Sequence, residues 1–149
     1  MLDVMEKQLE SKNIPWGYPL CFNEDCPLRE KCLHYRAYLL KSAEQLSGSA
    51  IYPDAWKSGQ CQRYNEVKKV QKAWGFTYIY DNVPHYLRAE ARHHVRSYFS
   101  GGCGPYYRYH HGENKLSPKQ QADVMAILAQ YGSTDGLAFD HYETVWDFD

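Results

Sequence analysis

Apolar residues recur at helical spacing over several stretches of the chain and cluster with β-branched or aromatic residues in others. Leu2, Met5 and Leu9 stand three and four apart, which predicts a short amphipathic helix over Met1–Lys12. Pro15 follows, and Ile14–Pro19 reads as extended or turning chain. A helix is expected near Leu33–Gln45, then a loop through Ser47-Gly48-Ser49 and a turn at Pro53-Asp54. Val67, Val70 and Trp74 favour a helix over Glu66–Trp74, with a strand as the alternative. Phe76–Tyr80 has the composition of a strand and stops at Asp81-Asn82.

The clearest helix is Pro84–Phe99, with Leu87, Ala91, Val95, Tyr98 and Phe99 on one face and Gly101-Gly102 ending it. Tyr106–His111 reads as a strand closed by the turn Gly112-Glu113-Asn114. Ser117 is an N-cap, Pro118 takes the first helical position and Gln120 completes a capping box. That helix is expected to run to about Tyr131, with Val124, Ile127 and Leu128 inward and Gly132 as a left-handed cap. A strand over Leu137–Val145 closes the chain. The mixture predicts an α+β fold with antiparallel strands and two main helices. It is expected to form one compact unit, a cysteine-rich segment over residues 1–65 packed on a body over 66–149.

Composition adds one departure from the ordinary: 14 Tyr, 4 Trp and 5 Phe in 149 residues. Such side chains suit half-buried faces and binding surfaces, and here a core and rim leaning on aromatics is the plainer reading. No stretch approaches the roughly 18 apolar residues of a membrane span. The first residues carry acids and no apolar run, so no signal peptide is read and a cytoplasmic location is expected. The net charge of −1 is uneven along the chain. Residues 84–116 carry +3 and five of the seven histidines, and residues 117–149 carry −5. That asymmetry fits either internal complementarity or an anion-binding face.

The strongest chemical signal is in the cysteines. Cys21, Cys26, Cys32 and Cys61 follow the spacing C-x4-C-x5-C-x28-C. In a reducing compartment, four clustered thiols point to a bound metal rather than to disulfides. Thiolates must come to about 2.3 Å from one zinc ion, and hooks of two to four intervening residues do this readily. The gap from Cys26 to Cys32 is longer, so this is not a standard zinc knuckle. Pro27 directly follows Cys26, and a proline beside a cysteine also marks iron–sulfur runs. Structural zinc, an iron–sulfur cluster and simply buried thiols are therefore the readings, in that order. His34 could replace one thiol, although a solvated helix histidine is the plainer expectation. Four thiolates leave zinc no open position, which makes its role folding rather than catalysis.

Two other constellations stand out. Arg88, Arg92 and Arg96 recur every four residues, and Tyr107, Arg108 and Tyr109 interleave aromatic and basic groups. Stacking plus phosphate contacts is how single-stranded nucleic acid is bound, so these six are candidates for nucleic-acid or anion binding. Cys103 lies in a glycine-rich stretch after a predicted helix C-terminus, an unfavourable place for an activated thiolate. His110 or His111 as its base is not demanded by spacing. The pairs His93-His94 and His110-His111 put neighbours on different faces, so neither is a good bidentate metal site. No phosphate loop, dinucleotide fingerprint or paired-carboxylate motif is present.

Cys21, Cys26-Pro27, Cys32 and Cys61, then Ala73-Trp74-Gly75-Phe76, Gly112, Ser117-Pro118, Gly132 and Phe139-Asp140, carry a resemblance over most of the chain. With these the chain resembles a family of small bacterial proteins of unknown function with a cysteine-rich N-terminal segment. The resemblance implies a metal-stabilised cytoplasmic protein and brings no catalytic residue. The expectation is a non-enzymatic binding or regulatory protein pinned by zinc, with a protein or nucleic acid as partner and no membrane. The alternatives are an iron–sulfur redox protein or enzyme partner, and a single-stranded nucleic-acid-binding protein.

Overall fold

Prolines and glycines cut the chain before Lys69 into short pieces, so little regular structure forms there. The computed structural model describes residues 9–100 and 102–149. The chain divides into two units: residues up to Lys69 together with Trp146–Asp149, and Val70–Val145. Of the helix expected over Met1–Lys12, residues 1–8 lie outside the described residues, and Ser11–Asn13 form a single 3-10 turn.

In the first unit, α1 (Leu33–Leu40) buries Leu33, His34, Tyr35 and Ala37. It stops well before Gln45 because Ser42 offers the backbone another partner: its Oγ accepts from the Glu44 N–H at 3.2 Å. A hairpin follows, β1 (Trp56–Lys57) pairing antiparallel with β2 (Gln60–Cys61). Its two loop residues, Ser58 and Gly59, have φ of 53° and 75°. Two left-handed residues in a two-residue loop are what the twist of a tight hairpin demands. Leu9, Leu33 and Trp146 form the small core, flanked by Tyr18, Leu40, Val67 and Phe148. The last residues of the chain thus help to fill the unit that begins it.

In the second unit the expected helix over Glu66–Trp74 is instead a strand, β3 (Lys69–Trp74), pairing with β4 (His141–Trp146). Val70, Lys72 and Trp74, two residues apart, form its half-buried side, a pleat that outweighs the weak helical spacing. Phe76–Tyr80 is irregular rather than a strand. Phe76, Ile79 and Tyr80 are buried there, so the apolar run fills the core without joining a ladder. A 3-10 turn, His85–Leu87, leads into α2 (Arg88–Tyr98), which buries Ala91 and Val95 as its pattern predicted.

Tyr106–His111 is not a strand either; it lies in α3 (Cys103–His111). Pro105 sits in the first turn, where its missing N–H leaves no bond unmade. Gly112, with φ of 82°, ends the helix. The capping box at α4 (Pro118–Leu128) is as read: Ser117 Oγ accepts from Gln120 N–H at 3.2 Å, and Gln120 Oε1 accepts from Ser117 N–H at 2.9 Å. Gly132 is not a left-handed cap. It is needed because a Cβ there would stand 2.5 Å from the Asn82 carbonyl oxygen. β4 begins only at His141, since Phe139 turns into the core and its N–H donates to the Tyr142 hydroxyl at 3.0 Å.

Part of the aromatic excess goes into this unit's interior, while Tyr78, Tyr86, Tyr107 and Tyr142 stay exposed. Phe76 packs on Tyr106, Phe99 and Phe139, with centroids 4.8, 5.9 and 6.1 Å apart. The result is a mixed α+β fold of four helices and two small antiparallel sheets among the described residues. No described helix is long and apolar enough to cross a membrane.

One link between α2 and α4 has a readable pH dependence. Tyr98 Oη and Lys119 Nζ both donate to Asp123 Oδ2 at 2.8 Å, and these bonds hold its carboxyl below the ordinary value of 3.8. A depressed carboxyl contributes stability that is fully present above the unfolded value and lost as pH falls through the folded one. Asp123→Asn should therefore flatten the loss of stability on going below pH ~4. Denaturant melts of both proteins at neutral and acid pH check this, and parallel acid slopes would refute it.

Candidate metal centre in the first unit

The backbone gathers the four cysteine segments before any side chain is considered. The N–H of Cys21 donates to the His34 carbonyl at 3.1 Å, laying the first cysteine beside the start of α1. A turn brings Cys26 N–H to the Asn23 carbonyl at 3.3 Å, and another brings Cys32 N–H to the Arg29 carbonyl at 3.3 Å. Cys32 forms an antiparallel bridge with Glu66, flanked by Leu33 N–H to Asn65 carbonyl at 2.6 Å and Val67 N–H to Lys31 carbonyl at 2.9 Å. Cys61 closes β2, and the turn after it carries the chain directly to Asn65. Phe22 packs edge-on to Tyr38 at 4.8 Å, which holds the loop between the first two cysteines against α1.

Cys21 has a perturbed environment. Burial pushes its thiol up from the ordinary value, and the Asn23 N–H directed at its sulfur acts the other way. Charge on Cys32, Cys26 and Cys61 pushes it up further. The backbone contacts above are what bring the four cysteine segments into one neighbourhood. All four are free thiols; Cys32 is buried and the other three are partly exposed. Among the described residues no three His, Cys, Asp or Glu side chains already converge as ligands of one ion.

His34 is not the solvated residue expected. It is only 6 % exposed and stacks on Tyr18 at 4.6 Å, nearly parallel. Its Nδ1–H donates to the Pro19 carbonyl at 2.7 Å, since a carbonyl only accepts. Burial lowers its pKa foremost, with the Arg63 charge acting the same way against the carbonyls of Pro19 and Arg63. The ring thus belongs to the packing of α1 on the Pro19 segment.

The arginine stripe exists along α2, but much of it is engaged internally. Arg88 Nε donates to the Val83 carbonyl at 3.1 Å and Nη2 to that of Asp81 at 3.4 Å. Arg92 lies 5.4 Å from the Tyr80 ring centroid, and Arg96 lies 5.3 and 5.6 Å from those of Tyr106 and Tyr107. Arg96 also donates to the Tyr107 hydroxyl at 3.0 Å. Tyr109 stacks on Phe99 at 4.6 Å, and Arg108 is exposed. Cys103 opens α3 rather than trailing a helix, so the argument drawn from a helix C-terminus does not apply to it. His110 is committed too: its Nδ1 accepts from Phe76 N–H at 3.0 Å.

Sequence reasoning missed Arg63. It lies two residues beyond Cys61, and its position next to a candidate ligand was the available signal. Its charge acts on both His34 and Tyr18.

Fold and site together define a mixed α+β protein with a thiol-rich first unit. The chain belongs to a family of unknown function, DUF6078, whose match spans residues 5–148. Nothing similar is found among curated proteins or among solved structures.

Proposed function

We propose that this is a non-enzymatic binding or regulatory protein whose first unit is held by a structural zinc ion on Cys21, Cys26, Cys32 and Cys61. The observation that carries the reading is the backbone bonding that gathers the four cysteine segments around the start of α1 and residues 65–67. Segments with little regular structure and a small core gain most from such a staple. The donor set also fits: four free thiols suit zinc, and the Asn23 N–H at the Cys21 sulfur is the kind of bond that favours a thiolate ligand. With four sulfurs bound the ion has no place for water or substrate, so its contribution is to folding.

Elemental analysis and an absorption spectrum of protein purified without oxygen or chelators test this. One zinc per chain and no visible absorbance is the expected result. Iron with sulfide and a broad visible band would replace this reading by the iron–sulfur alternative. Metal-free, folded protein would overturn both.

A further inference from the structure

The first unit holds a cavity of about 290 Å³ lined in part by the stretch 62–65 that directly follows Cys61. Tyr18, His34, Arg63, Asn65, Phe148 and Asp149 are among its lining residues. Internal bonds already use the Asn65 amide protons. Asn65 Nδ2 donates to the Tyr18 hydroxyl at 3.0 Å and to the Asp147 carbonyl at 3.2 Å. With its oxygen accepting there, Tyr18 retains its own O–H to donate elsewhere. Among the described residues, the ion pairs made in this unit by Lys12, Arg29, Arg36 and Lys68 do not involve Arg63.

We propose that this cavity binds a small organic carboxylate, with the Arg63 guanidinium and the Tyr18 hydroxyl as its receptors. A guanidinium fork matches the two oxygens of a carboxylate. A single cation, with acidic Asp149 also in the lining, suits one negative charge better than the two of a phosphate monoester. The edge-on contact of Phe148 with Tyr18, at 4.9 Å, supplies an aromatic wall for the ligand's apolar body. The inference rests on the zinc reading for one thing, the metal's hold on the turn from Cys61 to Asn65.

The test is an NMR titration of the zinc-loaded full chain with sodium benzoate, acetate and inorganic phosphate at fixed ionic strength. Saturable shifts at the Arg63 Nε–H and the Asn65 side-chain amide are expected with benzoate. Benzoate should bind more tightly than acetate or phosphate. Arg63→Ala should weaken benzoate by about tenfold or more, the scale of a charged hydrogen bond. Tyr18→Phe keeps the ring and should weaken it several-fold, which covers the case in which the arginine variant folds poorly. No saturable shift, or shifts that survive both substitutions, would overturn the site. Tighter binding of phosphate through Arg63 would overturn the carboxylate assignment. Zinc measured on the same samples separates the two ideas: one zinc per chain without benzoate binding sinks only the cavity, whereas folded protein without zinc sinks the staple.

Discussion

Cys26→Ser is expected to lower the melting temperature of the zinc-loaded protein by about 10 °C or more, and chelator should bring the unsubstituted protein down to the same value. Cys26 is the informative choice because it is partly exposed. Replacing buried Cys32, 7 % exposed, would disturb packing whether or not a metal binds there. At a partly exposed thiol with no metal, serine is nearly the same shape, and a surface change of that kind usually stays within ~0.5 kcal/mol. A structural zinc ion contributes on the order of 10 kcal/mol to a small unit, and loss of one of four thiolates forfeits several of them. For small units each kcal/mol moves the midpoint by roughly 4–8 °C, so the two cases are well separated. A melt unchanged by Cys26→Ser and by chelator would remove the staple.

The parts of this molecule legible in its sequence were those fixed by local chemistry. Ser117 and Gln120 need only each other, and their capping box formed as read. Ala91 and Val95 sit one turn apart in a helix with a strong polar face, and they are buried. The elements that were misread depend on partners distant in sequence. Val67, Val70 and Trp74 fit helix spacing, but β4 offers the 69–74 stretch a ladder that a lone segment cannot display. Tyr106–His111 has strand-like composition, yet Pro105 before it and Gly112 after it are helix punctuation, and they prevailed. His34 looked solvated because nothing near it in sequence shows that Tyr18 will cover its face. The cysteines were visible by spacing alone. Arg63 was not, because its significance comes from the cavity that Tyr18 and His34 complete.

Gly75→Ala is expected to destabilise the second unit by about 3 kcal/mol, whereas Gly136→Ala should cost only about 1 kcal/mol. Both glycines are left-handed, with φ of 88° and 73°, so any side chain meets a comparable backbone penalty at either one. Their surroundings differ. A Cβ at Gly136 would meet nothing within 4 Å, while one at Gly75 would stand 2.5 Å from Asp140 Cβ and 2.6 Å from its Oδ2. Asp140 has no freedom to retreat. Its N–H donates to the Gly75 carbonyl at 3.1 Å, and its carboxylate accepts from the Thr77 N–H at 3.1 Å and from the Thr77 hydroxyl at 2.5 Å. Yielding to a methyl group would break its bonds to the Gly75 carbonyl and to Thr77. This contact also gives a physical reason for two separate sequence features, Ala73-Trp74-Gly75-Phe76 and Phe139-Asp140, which are the two sides of one close approach. Urea melts followed by far-ultraviolet circular dichroism measure the difference. Equal costs at the two glycines would mean that backbone conformation alone, and not the approach of Asp140, sets the requirement at Gly75.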